Sequence, residues 1–160
     1  MTEPATALAA ETRELVLTRL IDAPPAKVYR AWTEPELLKQ WFAPLPYTVP
    51  FAELDVRPGG VFHTVIRSPD GADFGGRGVY LDVVPGEKLV FTDVYEPGWH
   101  PVEKPFMTAI VTFEDEGGKT RYTARARHFT VEDRLRHEEM GFHEGWGKAT
   151  DQLEALAKTL

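Results

Sequence analysis

The sequence predicts an α+β domain in which a curved antiparallel sheet wraps around a long C-terminal helix. The middle of the chain alternates apolar and polar residues with a period of two, whereas residues 130–160 repeat apolar residues at helical spacing. Strands that are joined by short turns pair as an antiparallel meander. With 160 residues in all, we expect one domain at residues 13–160 and a disordered segment at residues 1–12.

The first elements predicted are a strand and two short helices. Glu14–Ile21 is rich in Leu, Val, Thr and Ile, as strands are. Pro25 fits the first turn of a helix, which would carry Trp32 on its apolar face. A second short helix is predicted at about residues 35–41, and Pro44 would end it.

Six further strands follow, each bounded by a turn rich in glycine or proline. They are predicted at residues 51–56, 61–67, 76–84, 88–95, 106–114 and 121–129. With the first strand, the count is about seven.

The last two strands each present alternate side chains to one covered face. These are Met107, Ala109, Val111 and Phe113 in one strand and Tyr122, Ala124, Ala126 and His128 in the other. The alanines on this face have two interpretations: they allow the helix to approach closely, or they leave space for a ligand.

The segment at residues 130–160 is predicted to be one amphipathic helix with Thr130 as its N-cap and Leu135 on its apolar stripe. Glycines occupy positions 141, 145 and 147, and each costs about 1 kcal/mol relative to alanine within a helix. Close contact with the sheet, a kink, or room for Trp146 would explain them better than a direct ligand role.

No metal site or other cofactor is predicted. His137 and Glu138 match the first half of the zinc-binding motif H-E-x-x-H, but its second histidine would have to stand at position 141, which is glycine. We therefore expect these two side chains on a polar, solvated helix face. The chain has no cysteine, which excludes thiol catalysis and disulfides.

Charge and hydropathy restrict the partners. The formal net charge of −7 argues against nucleic acid and anionic membranes, which both require a basic surface. No apolar run is long enough to span a bilayer. Residues 1–12 lack the basic leader and apolar core of a signal peptide, so we expect a cytoplasmic protein.

Five segments together resemble a known superfamily. They are residues 21–33, residues 35–44, the turn at residues 57–60, residues 84–92, and the Gly145-Trp146 pair. In this order and spacing they resemble the START-like SRPBCC superfamily, in particular the branch named for the activator of the ninety-kilodalton heat-shock protein ATPase. The resemblance covers about residues 13–158 and implies a helix-grip fold, also described as START-like or pollen-allergen-like, with a cavity between sheet and helix.

The resemblance also suggests function. Members of this superfamily bind lipids, sterols, polyketides and other apolar molecules, and a few are cyclases or aromatases. We therefore predict that the cavity binds an apolar or aromatic molecule. The predicted ligand-contacting residues are Phe62, Thr64, Ile66, Tyr80, Phe91, Asp93, Met107, Ala109, His128, Met140 and Trp146.

Two alternatives remain open. The first is a cyclase-like enzyme in which His128 or Asp93 acts as the acid–base group. For His128, a hydrogen-bonded place at the edge of the core is favoured over catalysis; for Asp93, the favoured alternatives are a structural ion pair, for which Arg77 is the candidate partner, or partial exposure. The second is a protein-interaction module of the co-chaperone type, with a chaperone partner and a role in stress response. Trp99 would then contact a partner or a second copy in a homodimer; it would otherwise cover the cavity mouth or pack against its own loop.

Overall fold

The computed structural model describes residues 13–160, so the predicted disordered segment at residues 1–12 lies outside the described part of the chain. The α+β architecture is confirmed. The elements in chain order are β1 (Glu14–Ile21), α1 (Pro25–Thr33), α2 (Pro35–Leu38), β2 (Thr48–Leu54), β3 (Val61–Arg67), β4 (Asp73–Phe74), β5 (Arg77–Val84), β6 (Lys88–Thr92), β7 (Tyr95–Glu96), β8 (His100–Pro101), β9 (Met107–Glu116), β10 (Lys119–His128), α3 (Val131–Glu139) and α4 (Phe142–Ala157).

The sheet is antiparallel throughout and curls into a half-barrel. Its strand order is β1-β10-β9-β6-β5-β3-β2, with β4 added beside β3 and a separate two-stranded sheet of β7 and β8. The predicted inward face is confirmed, since Ala109, Ala124 and Ala126 are all buried. None of the described helices is long and apolar enough to cross a membrane.

The prediction of one continuous C-terminal helix is wrong. Gly141 adopts a left-handed conformation with φ of 100°, which separates α3 from α4. Thr130 caps α3 as predicted, because its hydroxyl accepts a hydrogen bond from the Asp133 N–H at 3.0 Å. Leu135, expected on the apolar stripe, is 44% exposed. The kink anticipated among the explanations for the glycines is therefore a full break at Gly141.

The helices pack on the inner face of the sheet. α1 contacts β9, β10 and α4, and α4 also contacts β1. Trp32 in α1 is buried and donates its indole N–H to the Tyr122 hydroxyl of β10 at 3.2 Å. Leu153 in α4 is fully buried in the same core. The core thus fixes α1 and α4 relative to each other and to the central strands.

The chain between α2 and β2 is tied to α4 mainly by the hydrogen bonds of one side chain, that of Gln152. Gln152 donates to the carbonyl oxygens of Trp41 at 3.2 Å and Ala43 at 2.8 Å, and its own side-chain oxygen accepts from the Leu45 N–H at 2.9 Å. α2 ends at Leu38, before the predicted end at residue 41, and a turn follows it. Residues 41–47 are consequently held beside the helix, where they form one side of a cleft.

Candidate functional site

A cleft of about 420 Å³ lies between the inner face of the sheet, helix α4 and residues 41–47. We define it by its aromatic walls, which are formed mainly by Trp32, Trp41, Phe42, Phe91, Phe142 and Trp146. The polar side chains on its walls are few, among them Tyr122, His137 and Thr150. Such a lining suits an apolar molecule with a small number of polar groups.

The aromatic walls are braced by contacts among the rings. Trp32 lies with its ring centroid 4.9 Å from Trp41 and 5.7 Å from Phe42, both edge to face. Phe91 stacks on Phe62 at 4.1 Å, behind the wall. Trp41 also donates its indole N–H to the Ala31 carbonyl at 3.0 Å. These contacts fix the ring orientations and so form the cleft without a ligand.

The cleft is partly open to solvent, and its rim carries exposed apolar side chains. Met140, the last residue before the helix break, is 70% exposed, and Phe74 of β4 is 51% exposed. Tyr47 contacts Phe74 edge to face at 6.0 Å across this rim. The opening therefore lies between the α3–α4 break and the β4 end of the sheet.

Glycine at position 145 leaves part of the cleft empty. A Cβ atom built at Gly145 would meet no atom within 4 Å, although the residue lies in α4 and lines the cleft. By contrast, a Cβ atom at Gly147 would lie 3.3 Å from Arg19 Nη2. Gly147 therefore serves close packing against β1, while Gly145 leaves space.

Two histidines form a buried pair at one end of the cleft. His128 of β10 and His137 of α3 are both buried, and His128 Nε2 lies 2.9 Å from His137 Nδ1. His128 Nδ1 lies 2.9 Å from the carbonyl oxygen of Arg13. Burial, and then the neighbouring His128, lower the pKa of His137 to about 4, so this ring is neutral at pH 7.

The structure places five of the predicted ligand-contacting residues on the cleft wall: Ile66, Phe91, Met107, Met140 and Trp146. Four others lie in the core behind it: Phe62, Thr64, Tyr80 and Ala109. His128 does not line the cleft itself, but it contacts His137, which does. Their contact with a ligand stays a prediction.

The carboxylate of Asp93 is occupied by hydrogen bonds to the backbone. This carboxylate accepts hydrogen bonds from the backbone N–H groups of Phe106, at 2.8 Å, and Met107, at 3.1 Å. It thereby holds the start of β9 against the end of β6. Of the two environments expected for Asp93, the ion pair with Arg77 is wrong, because Arg77 pairs with Glu96 at 3.2 Å, whereas partial exposure agrees with the half-buried position of Asp93. His128 and Asp93 thus have separate partners.

Sequence reasoning missed His137, which was expected on a solvated face but is only 7% exposed. It is the one buried residue of α3. Since no apolar stripe accompanies it, helical periodicity gave no signal for the buried face. Across residues 13–160, no group of three or more His, Cys, Asp or Glu side chains is arranged to hold a metal ion.

Trp99 lies away from the cleft. It is 55% exposed, sits at a positive φ of 64° in the turn between β7 and β8, and contacts Tyr95 edge to face at 5.8 Å. Its ring also lies close to Gly59. Trp99 therefore packs against its own loop and the neighbouring turn, and it does not cover the cleft.

Comparisons with known proteins agree with this architecture. The family described as activator of Hsp90 ATPase homolog 1-like protein matches residues 22–158. A crystal structure of a protein from Nitrosomonas europaea is 42% identical, with 92% of this chain and 96% of that chain covered and a TM-score of 0.89. One from Mycobacterium smegmatis is 26% identical, with 92% and 91% covered and a TM-score of 0.78.

A third structure, of a Staphylococcus aureus protein described as having unknown function, is 24% identical over 91% of this chain and 93% of that chain. Its TM-score is 0.69, and at this identity the likeness shows the fold alone. A comparison with curated proteins found no match.

Proposed function

The chain belongs to the family of activator of Hsp90 ATPase homolog 1-like proteins, and from this membership and the geometry of the cleft we propose that it binds one small, largely apolar aromatic molecule. The observation that carries the proposal is the cleft of about 420 Å³ with walls of Trp and Phe rings. Small-molecule sites are typically clefts of about 300–1,000 Å³ with mainly apolar walls and a few polar groups.

Preorganisation supports the proposal. Trp32 is held by its hydrogen bond to Tyr122, and Trp41 by its hydrogen bond to the Ala31 carbonyl. Phe142 and Trp146 contact each other with centroids 4.4 Å apart at the start of α4. A ligand would meet rings that are already ordered, so that binding costs little side-chain entropy.

The alternatives have less support. A cyclase-like reaction needs an acid–base group at the ligand, and Asp93 is engaged with the backbone of β9. For a co-chaperone role the expected contact residue was Trp99, which is 55% exposed but packs in part against Tyr95 of its own loop. A role in stress response and a cytoplasmic location remain predictions from the sequence, and monomer and homodimer both remain open.

The direct test uses naphthalene as the probe and the four tryptophan indole N–H signals as reporters in a ¹⁵N-labelled protein. Naphthalene should shift the signals of Trp32, Trp41 and Trp146, which line the cleft, in a saturable titration. The signal of Trp99, which lies elsewhere, is the internal control and should not move. Saturable shifts confined to Trp99, or none at all, would contradict the proposal.

Two matched variants locate the binding. Gly145→Phe places a ring in the empty part of the cleft and should weaken naphthalene binding by about tenfold or more, because it occupies the volume that the probe needs. Glu144→Phe adds the same ring to the exposed side of the same helix and should leave the affinity unchanged. Equal affinities for both variants would place the probe outside the cleft.

A further inference from the structure

We propose that the His128–His137 pair fixes a single hydrogen-bond acceptor in the cleft wall, which selects aromatic molecules that carry an O–H or N–H donor. The inference rests on the proposed function and specifies the chemical class of the ligand: a hydroxylated aromatic compound or an N–H heterocycle, rather than a carboxylate, ketone or ether. It depends on the order of hydrogen bonds that begins at the backbone of Arg13.

When both histidine rings are neutral, only one assignment of hydrogen-bond donors and acceptors satisfies these contacts. A carbonyl oxygen only accepts, so His128 Nδ1 must donate its hydrogen to the Arg13 carbonyl. A neutral imidazole has a single N–H, so His128 Nε2 is then an acceptor. His137 Nδ1 must therefore donate to it across the 2.9 Å contact, which leaves His137 Nε2 without a hydrogen.

The remaining nitrogen, His137 Nε2, is available on the cleft side of the ring. His137 is among the residues that line it, and its opposite ring edge is engaged with His128. The rings packed around His137 are those of Phe106, Phe142 and Trp146, which carry no charge. Over the described residues, the Tyr80 hydroxyl is the one fully buried side-chain N or O atom that lacks a hydrogen-bond partner. Since His137 Nε2 makes no hydrogen bond within the described residues and is not such an atom, it is accessible rather than enclosed in the core.

A ligand with a donor would pair with this nitrogen. A ligand that offers only acceptor atoms at the same place would lose hydrogen bonds to water and leave His137 Nε2 facing another lone pair. The low pKa of His137 keeps the ring neutral at pH 7, which maintains the acceptor there. The carbonyl of Arg13, the residue before β1, therefore determines, through two rings, which ligand group fits.

The first test needs no ligand. Two-bond ¹H–¹⁵N correlation spectra of the histidine-labelled, unmodified protein at pH 7 report which ring nitrogen carries the hydrogen. We expect the Nδ1–H tautomer for both His128 and His137. A hydrogen on His137 Nε2 at pH 7 would overturn the inference while leaving the proposed function untouched.

The second test compares 2-naphthol with 2-methoxynaphthalene, which have nearly the same shape but differ in the O–H donor, and uses naphthalene as the apolar reference. We expect 2-naphthol to bind about tenfold more tightly than 2-methoxynaphthalene. Equal affinities of the two, together with measurable naphthalene binding, would overturn the inference alone. Failure of all three probes to bind would overturn the proposed function, and the inference with it.

Two variants connect the preference to the pair. His137→Phe removes the acceptor and should abolish the preference for 2-naphthol. His128→Leu keeps His137 but removes its fixed partner, so that either tautomer can form, and the preference should fall several-fold. A full preference in either variant would contradict the inference. The tautomer measurement on the unmodified protein decides the question even where neither variant folds.

Discussion

The two helices of the C-terminal segment are held in different ways. α4 buries Phe142, Ala149, Leu153 and Ala157 along one face, as its apolar spacing predicts. α3 buries a single residue, His137, and leaves Val131 and Leu135 exposed. α4 is therefore held mainly by the burial of apolar side chains, whereas the only buried residue of α3 makes a polar contact next to the cleft.

The largest expected effect is the difference in stability lost when an apolar side chain is truncated in α4 and in α3. Leu153→Ala in α4 removes a fully buried side chain and should lower the free energy of unfolding by about 3 kcal/mol. Leu135→Ala in α3 removes a side chain that is 44% exposed and should change it by less than about 0.5 kcal/mol. Urea titrations of both variants measure the contrast, and similar losses would show that α3 is also held by apolar burial.

The next effect concerns the polar contact of α3. The pKa of His137 is lowered from 6.5 in the unfolded chain to about 4 in the folded protein. The unfolded state therefore binds the proton first as the pH falls, so the contribution to stability is complete above pH 6.5 and is lost toward pH 4. We expect the free energy of unfolding to fall by about 2 kcal/mol over this pH range. This is less than the full pKa shift would give, because the edge of the His137 ring faces an open cleft where solvent screens its charge.

His137→Gln is the matched variant for this pH dependence, since it cannot titrate. Its free energy of unfolding should fall less steeply between pH 6.5 and 4 than that of the unmodified protein. Carboxylates such as Asp73, Asp82 and Glu116, whose ion-paired cations lower their pKa values, titrate in both proteins and cancel in the difference. Parallel curves would mean that His137 is not desolvated in the folded state.

The smallest effects come from the glycines at the junction of the two helices. Gly141→Ala should destabilise the protein by about 1–2 kcal/mol, because a φ of 100° is unfavourable for a residue with a Cβ atom. Gly145→Ala should stabilise it by up to about 1 kcal/mol, because the new methyl group meets only open space in a helix interior. Thermal unfolding of both variants checks that the two shifts have opposite signs.

Much of the fold could be predicted from the chain alone. The meander, the inward positions Ala109, Ala124 and Ala126, and the cap at Thr130 were all predicted correctly. Each depends on local periodicity or on a contact within a few residues, which a sequence displays directly. A kink was among the explanations offered for the three glycines, but the full break at Gly141 was not predicted, since glycine also occurs inside helices, as Gly145 and Gly147 do.

The candidate site could be predicted only in part. Phe91, Met107 and Trp146 follow from strand and helix faces, and they line the cleft. Tyr47 and Phe74 were missed because they come from a loop and a two-residue strand without a periodic pattern. Tyr80 and Ala109 were expected at the cavity; both are buried and neither is among the residues that line the cleft, so their contact with a ligand stays a prediction.

The sequence by itself determined which faces of the strands and of α4 are apolar, because side-chain direction repeats with a fixed period along each element. Only the tertiary structure decided that His128 and His137 meet and that the Arg13 carbonyl orients them. That contact joins β10 and α3 to the residue before β1, which lies far from both along the chain. No local pattern of residues encodes those long-range distances.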